Sequence, residues 1–100
     1  MTPKTIYKAR SEVWEYPGMA GWHFVSLSKP QSAEIQKNYA GKTRGWGSLR
    51  VVVTIGKTSW KTSIFPDKKS GTYLLPLKSE VRKKEGVYKG DNIKFTIQIK

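Results

Sequence analysis

The chain has no cysteine. That removes disulfides, thiol nucleophiles and thiolate metal sites together. It has one histidine, His23, so a histidine cluster for a metal cannot form. Acids are scarce: seven Asp and Glu stand against nineteen Lys and Arg. No apolar run approaches the roughly 18 residues that cross a bilayer as a helix, so no membrane helix is expected. The opening Met-Thr-Pro-Lys-Thr-Ile carries charge with no apolar stretch behind it, so no secretory signal is expected and the location read is cytoplasmic. No phosphate-binding loop is present either. Gly41-Lys42-Thr43 resembles the tail of one, but no glycine stands five residues before Gly41, and a strand follows where a helix is needed. There is no internal repeat and no low-complexity linker. One hundred residues, 37% of them apolar, make a single domain over residues 1–100.

The net charge is +12. Such a balance suits a polyanion, whose bound counterions are released on neutralisation, and equally suits a solvated face. The excess is spread along both halves of the chain, with one dense knot at Lys78–Lys84 holding Lys78, Arg82, Lys83 and Lys84. Only Arg10, Arg44, Arg50 and Arg82 are arginines. Lysine is a hydrated point charge, whereas arginine reads phosphate bidentately.

Period-2 alternation dominates the pattern. In Thr5–Trp14 one face reads Tyr7, Ala9, Ser11, Val13 and the other Lys8, Arg10, Glu12. Trp22–Leu27 is a short apolar run of strand length. Ser28 then caps a helix, with Gln31 as capping-box partner and Pro30 in the first turn. Ala33, Ile35 and Tyr39 form its narrow apolar stripe, and Gly41 stops it. Leu49, Val51, Val53 and Ile55 alternate with Arg50, Val52 and Thr54, and Gly56-Lys57 suits a two-residue hairpin turn of type II′. That turn dictates a register: Ile55 opposite Thr58, Val53 opposite Trp60, Val51 opposite Thr62 and Leu49 opposite Ile64. The polar face then pairs Thr54 with Ser59, Val52 with Lys61 and Arg50 with Ser63. Thr72–Leu77 reads as another strand, with Pro76 suggesting an edge or a bulge. Ser79–Glu85 reads as a short helix opened by Ser79 and closed by Gly86. A last strand carries Ile93, Phe95, Ile97 and Ile99. Six strands with one apolar face each, plus two short helices, predict an all-β fold, a small closed barrel.

Little catalytic chemistry is available. Nothing in the spacing forces any two of Glu12, Glu15, Glu34, Asp67, Glu80, Glu85 and Asp91 together across a cleft, as a glycosidase pair requires. His23, between Trp22 and Phe24, reads as a half-exposed strand residue; as a general base it lacks a nucleophile. Four Trp and five Tyr make the chain aromatic-rich. Tyr7, Trp60 and Phe95 project from apolar faces and belong to the core. Trp14, Trp22 and Trp46 lie beside loops and are the candidates for stacking contacts.

The stretches Tyr7-Lys8-Ala9, Gly21-Trp22-His23-Phe24-Val25, Val51-Val52-Val53-Thr54-Ile55-Gly56, Trp60-Lys61-Thr62-Ser63-Ile64-Phe65-Pro66, Gly71-Thr72-Tyr73-Leu74-Leu75-Pro76-Leu77, Val81-Arg82-Lys83 and Gly90-Asp91 occur in an order and spacing that are specific together. Over nearly the whole chain they resemble the small prokaryotic domain-of-unknown-function family nineteen-oh-five. The resemblance implies a closed six-stranded Greek-key barrel. Some members carry a second, C-terminal domain of the bacteriocin-protection type; this chain ends at Lys100, directly after its last strand. The family carries no established activity, so no catalytic residue follows from it.

The function expected is a non-catalytic binding module for an anionic ligand or polyanion. Its candidate ligand-binding residues are Trp22, Arg50, Lys61, Lys78, Arg82, Lys83 and Lys84. Arg50 and Lys61 share the polar face of the hairpin, and the Lys78–Lys84 helix is the foremost anion contact. Against that, Arg82, Lys83 and Lys84 can simply complement the helix's C-terminal dipole. Two alternatives stand: an accessory or interaction domain with no small ligand, and an enzyme with His23 or Lys78 as base. No cofactor and no metal are implied. The expected partner is a nucleic acid or another anionic ligand, with no membrane partner and the monomer favoured.

Overall fold

A computed structural model of the chain describes residues 5–18, 21–43 and 45–100, the Trp46 side chain excepted. Strands β1 (Ile6–Glu12), β2 (Trp14–Glu15) and β3 (His23–Ser26) precede helix α1 (Lys29–Tyr39). After two short 3₁₀ turns come β4 (Leu49–Ile55), β5 (Thr58–Asp67), β6 (Thr72–Leu77), helix α2 (Ser79–Glu85) and β7 (Asn92–Ile99). The strands pair in the order β1-β7-β4-β5-β6-β3-β2, antiparallel throughout.

The β4–β5 hairpin has the register that its turn dictates, from Ile55↔Thr58 through Val53↔Trp60 to Leu49↔Ile64. Gly56 supplies the positive φ, 56°. A side chain there would run into the carboxylate of Glu85, which accepts a hydrogen bond from Thr58 Oγ1 at 2.6 Å. The end of α2 is thereby pinned to the hairpin turn.

The fold is all-β, but it is a curled half-barrel of seven strands and not the closed six-stranded Greek-key barrel that the alternation and the family resemblance led us to expect. The difference arises at Val13. Its N–H donates to Asp91 O and its carbonyl accepts from Gly90 N–H, both at 2.8 Å. The chain is bonded there to a turn and not to a strand, so Thr5–Trp14 divides into β1, which pairs with β7, and β2, which pairs with β3. β1 and β2 are thus the two ends of the sheet and successive in the chain.

Inward residues of every long strand meet in one core: Tyr7, Val25, Leu49, Val51, Val53, Trp60, Ile64, Leu75, Phe95 and Ile97 among them. Burial pushes the phenol of Tyr73 above its ordinary value, and that of Tyr7 as well, where Asn38 opposes and Glu34 adds to the effect. Helix α1 is capped as expected, Ser28 Oγ accepting from Gln31 N–H at 3.2 Å. Its buried stripe is Ser32, Ile35 and Tyr39, not Ala33, which is exposed. Ser32 can turn inward because its hydroxyl accepts the Tyr73 N–H at 3.0 Å. Helix α2 closes on Gly86 with φ 63°, but its N-cap is Lys78 and not Ser79, and no side chain caps it.

Candidate functional site

Strands β5 and β6 pair only at Phe65↔Leu74, Pro66↔Tyr73 and Asp67↔Thr72. Before Phe65, β5 stays with β4; beyond Leu74, β6 stays with β3. The two strands therefore splay apart. Pro76 lies on the diverging arm of β6, so a residue without an N–H faces no missing partner. Pro76 marks a local edge, although β6 lies inside the sheet order.

The splay is a cleft of about 300 Å³. One wall is Trp60, Lys61 and Thr62 of β5; the other is Pro76, Leu77 and Lys78 at the end of β6; the Gly21–Phe24 segment forms the third side. Among the described residues no carboxylate lines it. Three of the expected ligand residues, Trp22, Lys61 and Lys78, are thus brought to one place. Strand pairing does this: His23 faces Leu77, which carries Trp22 and Lys78 to either side of the same end of the β3–β6 ladder.

Arg82 supports the rim. Its Nε donates to Leu77 O at 3.1 Å and its Nη2 to Gly21 O at 3.2 Å. Gly21, with φ 90°, makes the turn into β3, and its N–H approaches Glu15 Oε2 at 3.4 Å. His23 closes the same knot. Its Nδ1 lies 3.1 Å from Gly21 O, and because a carbonyl can only accept, that nitrogen carries the hydrogen. Its Nε2 lies 3.9 Å from Glu15 Oε2.

The other expected residues lie elsewhere. Lys83 and Lys84 are exposed in the last turn of α2 and do not line the cleft. Arg50 is exposed on β4, beside Val52, which faces Lys61. Of the loop tryptophans, Trp22 is 56% exposed. Trp14 is half-buried: its Nε1 donates to Ser26 Oγ at 3.1 Å, and its ring stacks on Phe24 with centroids 5.1 Å apart. The Trp46 side chain lies outside the described residues.

Sequence reasoning missed an apolar groove of about 500 Å³ beside the cleft, lined by Trp22, Phe24, Phe65, Leu74 and Pro76. Phe24 leaves the core for this outer face, where the rings of Trp14, Tyr16 and Trp22 lie 5.1–6.3 Å from it. The one available signal was Phe65, an aromatic on the outward parity of β5 next to inward Ile64. Among the described residues there is no metal-holding cluster of His, Asp or Glu, and no helix is long and apolar enough to cross a membrane.

No curated protein matches the chain. The family model of a domain of unknown function, DUF1905, matches residues 10–97. The chain belongs to that family.

Proposed function

We propose that this member of the DUF1905 family is a non-catalytic binding module that takes an anionic ligand in the cleft between β5 and β6. One observation carries the reading: two lysines, Lys61 and Lys78, face a single cleft beside an exposed tryptophan, with no lining acid among the described residues. Low-dielectric walls such as Pro76 and Leu77 focus the field of such charges on whatever enters. Lys83 and Lys84, read at first as part of the anion contact, then serve the C-terminal dipole of α2.

The test is a titration with inorganic polyphosphate over a range of salt, comparing the parent with Lys61→Gln/Lys78→Gln. Loss of two phosphate contacts should flatten the log–log salt slope by roughly 1.4–1.8, at about 0.7–0.9 per contact. A double variant with the parent's affinity and slope would remove the cleft from consideration.

A second reading, an interaction domain with no small ligand, draws on the wholly apolar lining of the groove at Trp22, Phe65 and Leu74. It predicts no polyanion binding even in low salt. The enzyme reading with His23 or Lys78 as base ranks third, since the His23 nitrogens are directed at Gly21 O and Glu15, and the one hydroxyl lining the cleft with Lys78 is that of the half-buried Thr62.

A further inference from the structure

Resting on that reading of the cleft, we infer that the ligand is a single-stranded nucleic acid, its phosphates lying across the outer face of β1, β7 and β4 and its bases reaching the aromatic groove. The outer face of these strands holds a second groove, about 530 Å³, with Lys8, Arg10 and Lys94 on its walls. Register sets Arg10 directly opposite Lys94. Like charges facing each other across a ladder destabilise it. Among the described residues no carboxylate lines the groove, and no Asp or Glu comes within 4 Å of either cation. The one acid on this face, Glu12, ends β1 opposite Asn92. Two unneutralised cations held at cross-strand spacing leave a place for a phosphate between them.

The track continues sideways. Lys8 faces Thr96, Thr96 faces Thr54, and Thr54 faces Ser59, whose hydroxyl lies 2.7 Å from that of Thr54. This row crosses from β1 to β5 over three strand spacings, roughly 14 Å, presenting hydroxyls and no acid. The next row ends at Lys61, through Gln98 and Val52. Lys61 lines the cleft together with Trp22, and Phe65 lies beyond it, the two rings 56% and 40% exposed. One continuous outer surface therefore offers cations first and flat apolar rings last.

That sequence of chemistries selects the ligand. A free phosphate or a polyphosphate uses the cations and leaves the rings bare. A duplex presents phosphates but keeps its bases stacked inside. A single strand alone offers spaced phosphates together with unstacked bases, which sit on aromatic side chains without regard to sequence.

The experiment is fluorescence anisotropy of the intact chain with a dye-labelled ten-nucleotide oligothymidylate, competed by a duplex of the same length and by inorganic polyphosphate. The oligothymidylate should bind at least tenfold more tightly than the duplex. Trp22→Ala should weaken it roughly 5- to 150-fold, as expected for one lost stacking contact. Trp22→Phe should restore most of the loss, which separates stacking from misfolding. Arg10→Gln/Lys94→Gln should flatten the salt slope for the single strand by about 0.7, the value for one phosphate. If polyphosphate binds but Trp22→Ala leaves the oligothymidylate untouched, the nucleic-acid inference falls and the anion-binding cleft stands. An unchanged slope in Arg10→Gln/Lys94→Gln overturns the track. If neither polyanion binds in low salt, the inference and the cleft reading fall together.

Discussion

Between β4 and β5 seven consecutive pairs keep one register and β1 and β7 share another seven, whereas β5 and β6 share three and β2 and β3 two. The first region obeys the rules of a half-buried sheet. Its inward positions are mostly Val, Ile, Leu, Phe, Tyr and Trp, with Ala9, Ser11, Thr58 and Thr62 between them, and most of its outward positions are charged or hydroxylic. The second region breaks them. It places a proline inside the sheet order, stops its ladders early, and leaves Tyr16, Trp22 and Phe65 in solvent on the face turned away from the core. Departures of this kind cost stability that the fold alone does not demand, and they gather where a protein meets something else. The difference separates the half of the sheet that supplies most of the stability from the half that supplies the aromatic surface.

The comparison breaks most visibly with matched charge insertions. Val53→Asp places a carboxylate at a fully buried position opposite Trp60. It should cost several kcal/mol and leave no cooperative thermal transition. Trp22→Asp, in the exposed region, should melt within about 0.5 kcal/mol of the parent. Equal losses from the two would erase the distinction. Gly56→Ala tests the lock between hairpin and helix. The positive φ and the approach of Glu85 should together cost about 1–3 kcal/mol, read as a lowered denaturation midpoint with unchanged slope.

Arg82→Met sharpens the account of the rim. It removes two hydrogen bonds to Leu77 O and Gly21 O, one of them in solvent, and should cost about 1 kcal/mol. Faster amide exchange should be confined to the Gly21 turn and the end of β6. The smallest effect has the opposite sign. Arg10→Gln/Lys94→Gln relieves a like-charge pair and should stabilise the domain by a few tenths of a kcal/mol. A loss of stability there would mean that the two cations do not repel.

Legibility in the sequence follows the same division. The hairpin register could be read completely, because a two-residue glycine turn and strict alternation leave a single pairing. The end of α2 was equally plain, from Gly86, whereas its start was read from Ser79 when Lys78 holds the N-cap. The break at Val13 was not legible: its partners, Gly90 and Asp91, are remote in the chain, and alternation runs through the site without interruption. Nor does alternation say where a ladder ends, so the splay between β5 and β6 was signalled only by Pro76. Trp22, Lys61 and Lys78 could each be picked out, by loop position, strand parity and charge density. Their meeting depends on the β3–β6 and β5–β6 pairings. Charge density also drew in Lys83 and Lys84, which do not line the cleft. The facing of Arg10 and Lys94 emerges only once β1 is set against β7.

The central claim is that the splay between β5 and β6 is where an anionic ligand sits. The most direct measurement is a two-dimensional amide correlation spectrum of ¹⁵N-labelled protein, titrated with the ten-nucleotide oligothymidylate in low salt. The account predicts progressive shifts at the amides of Lys61, Leu77 and Lys78 and at the Trp22 indole N–H, with those of Lys83 and Lys84 stationary. Shifts confined to Lys83 and Lys84, or a spectrum unchanged by the oligothymidylate and by inorganic polyphosphate alike, would contradict it.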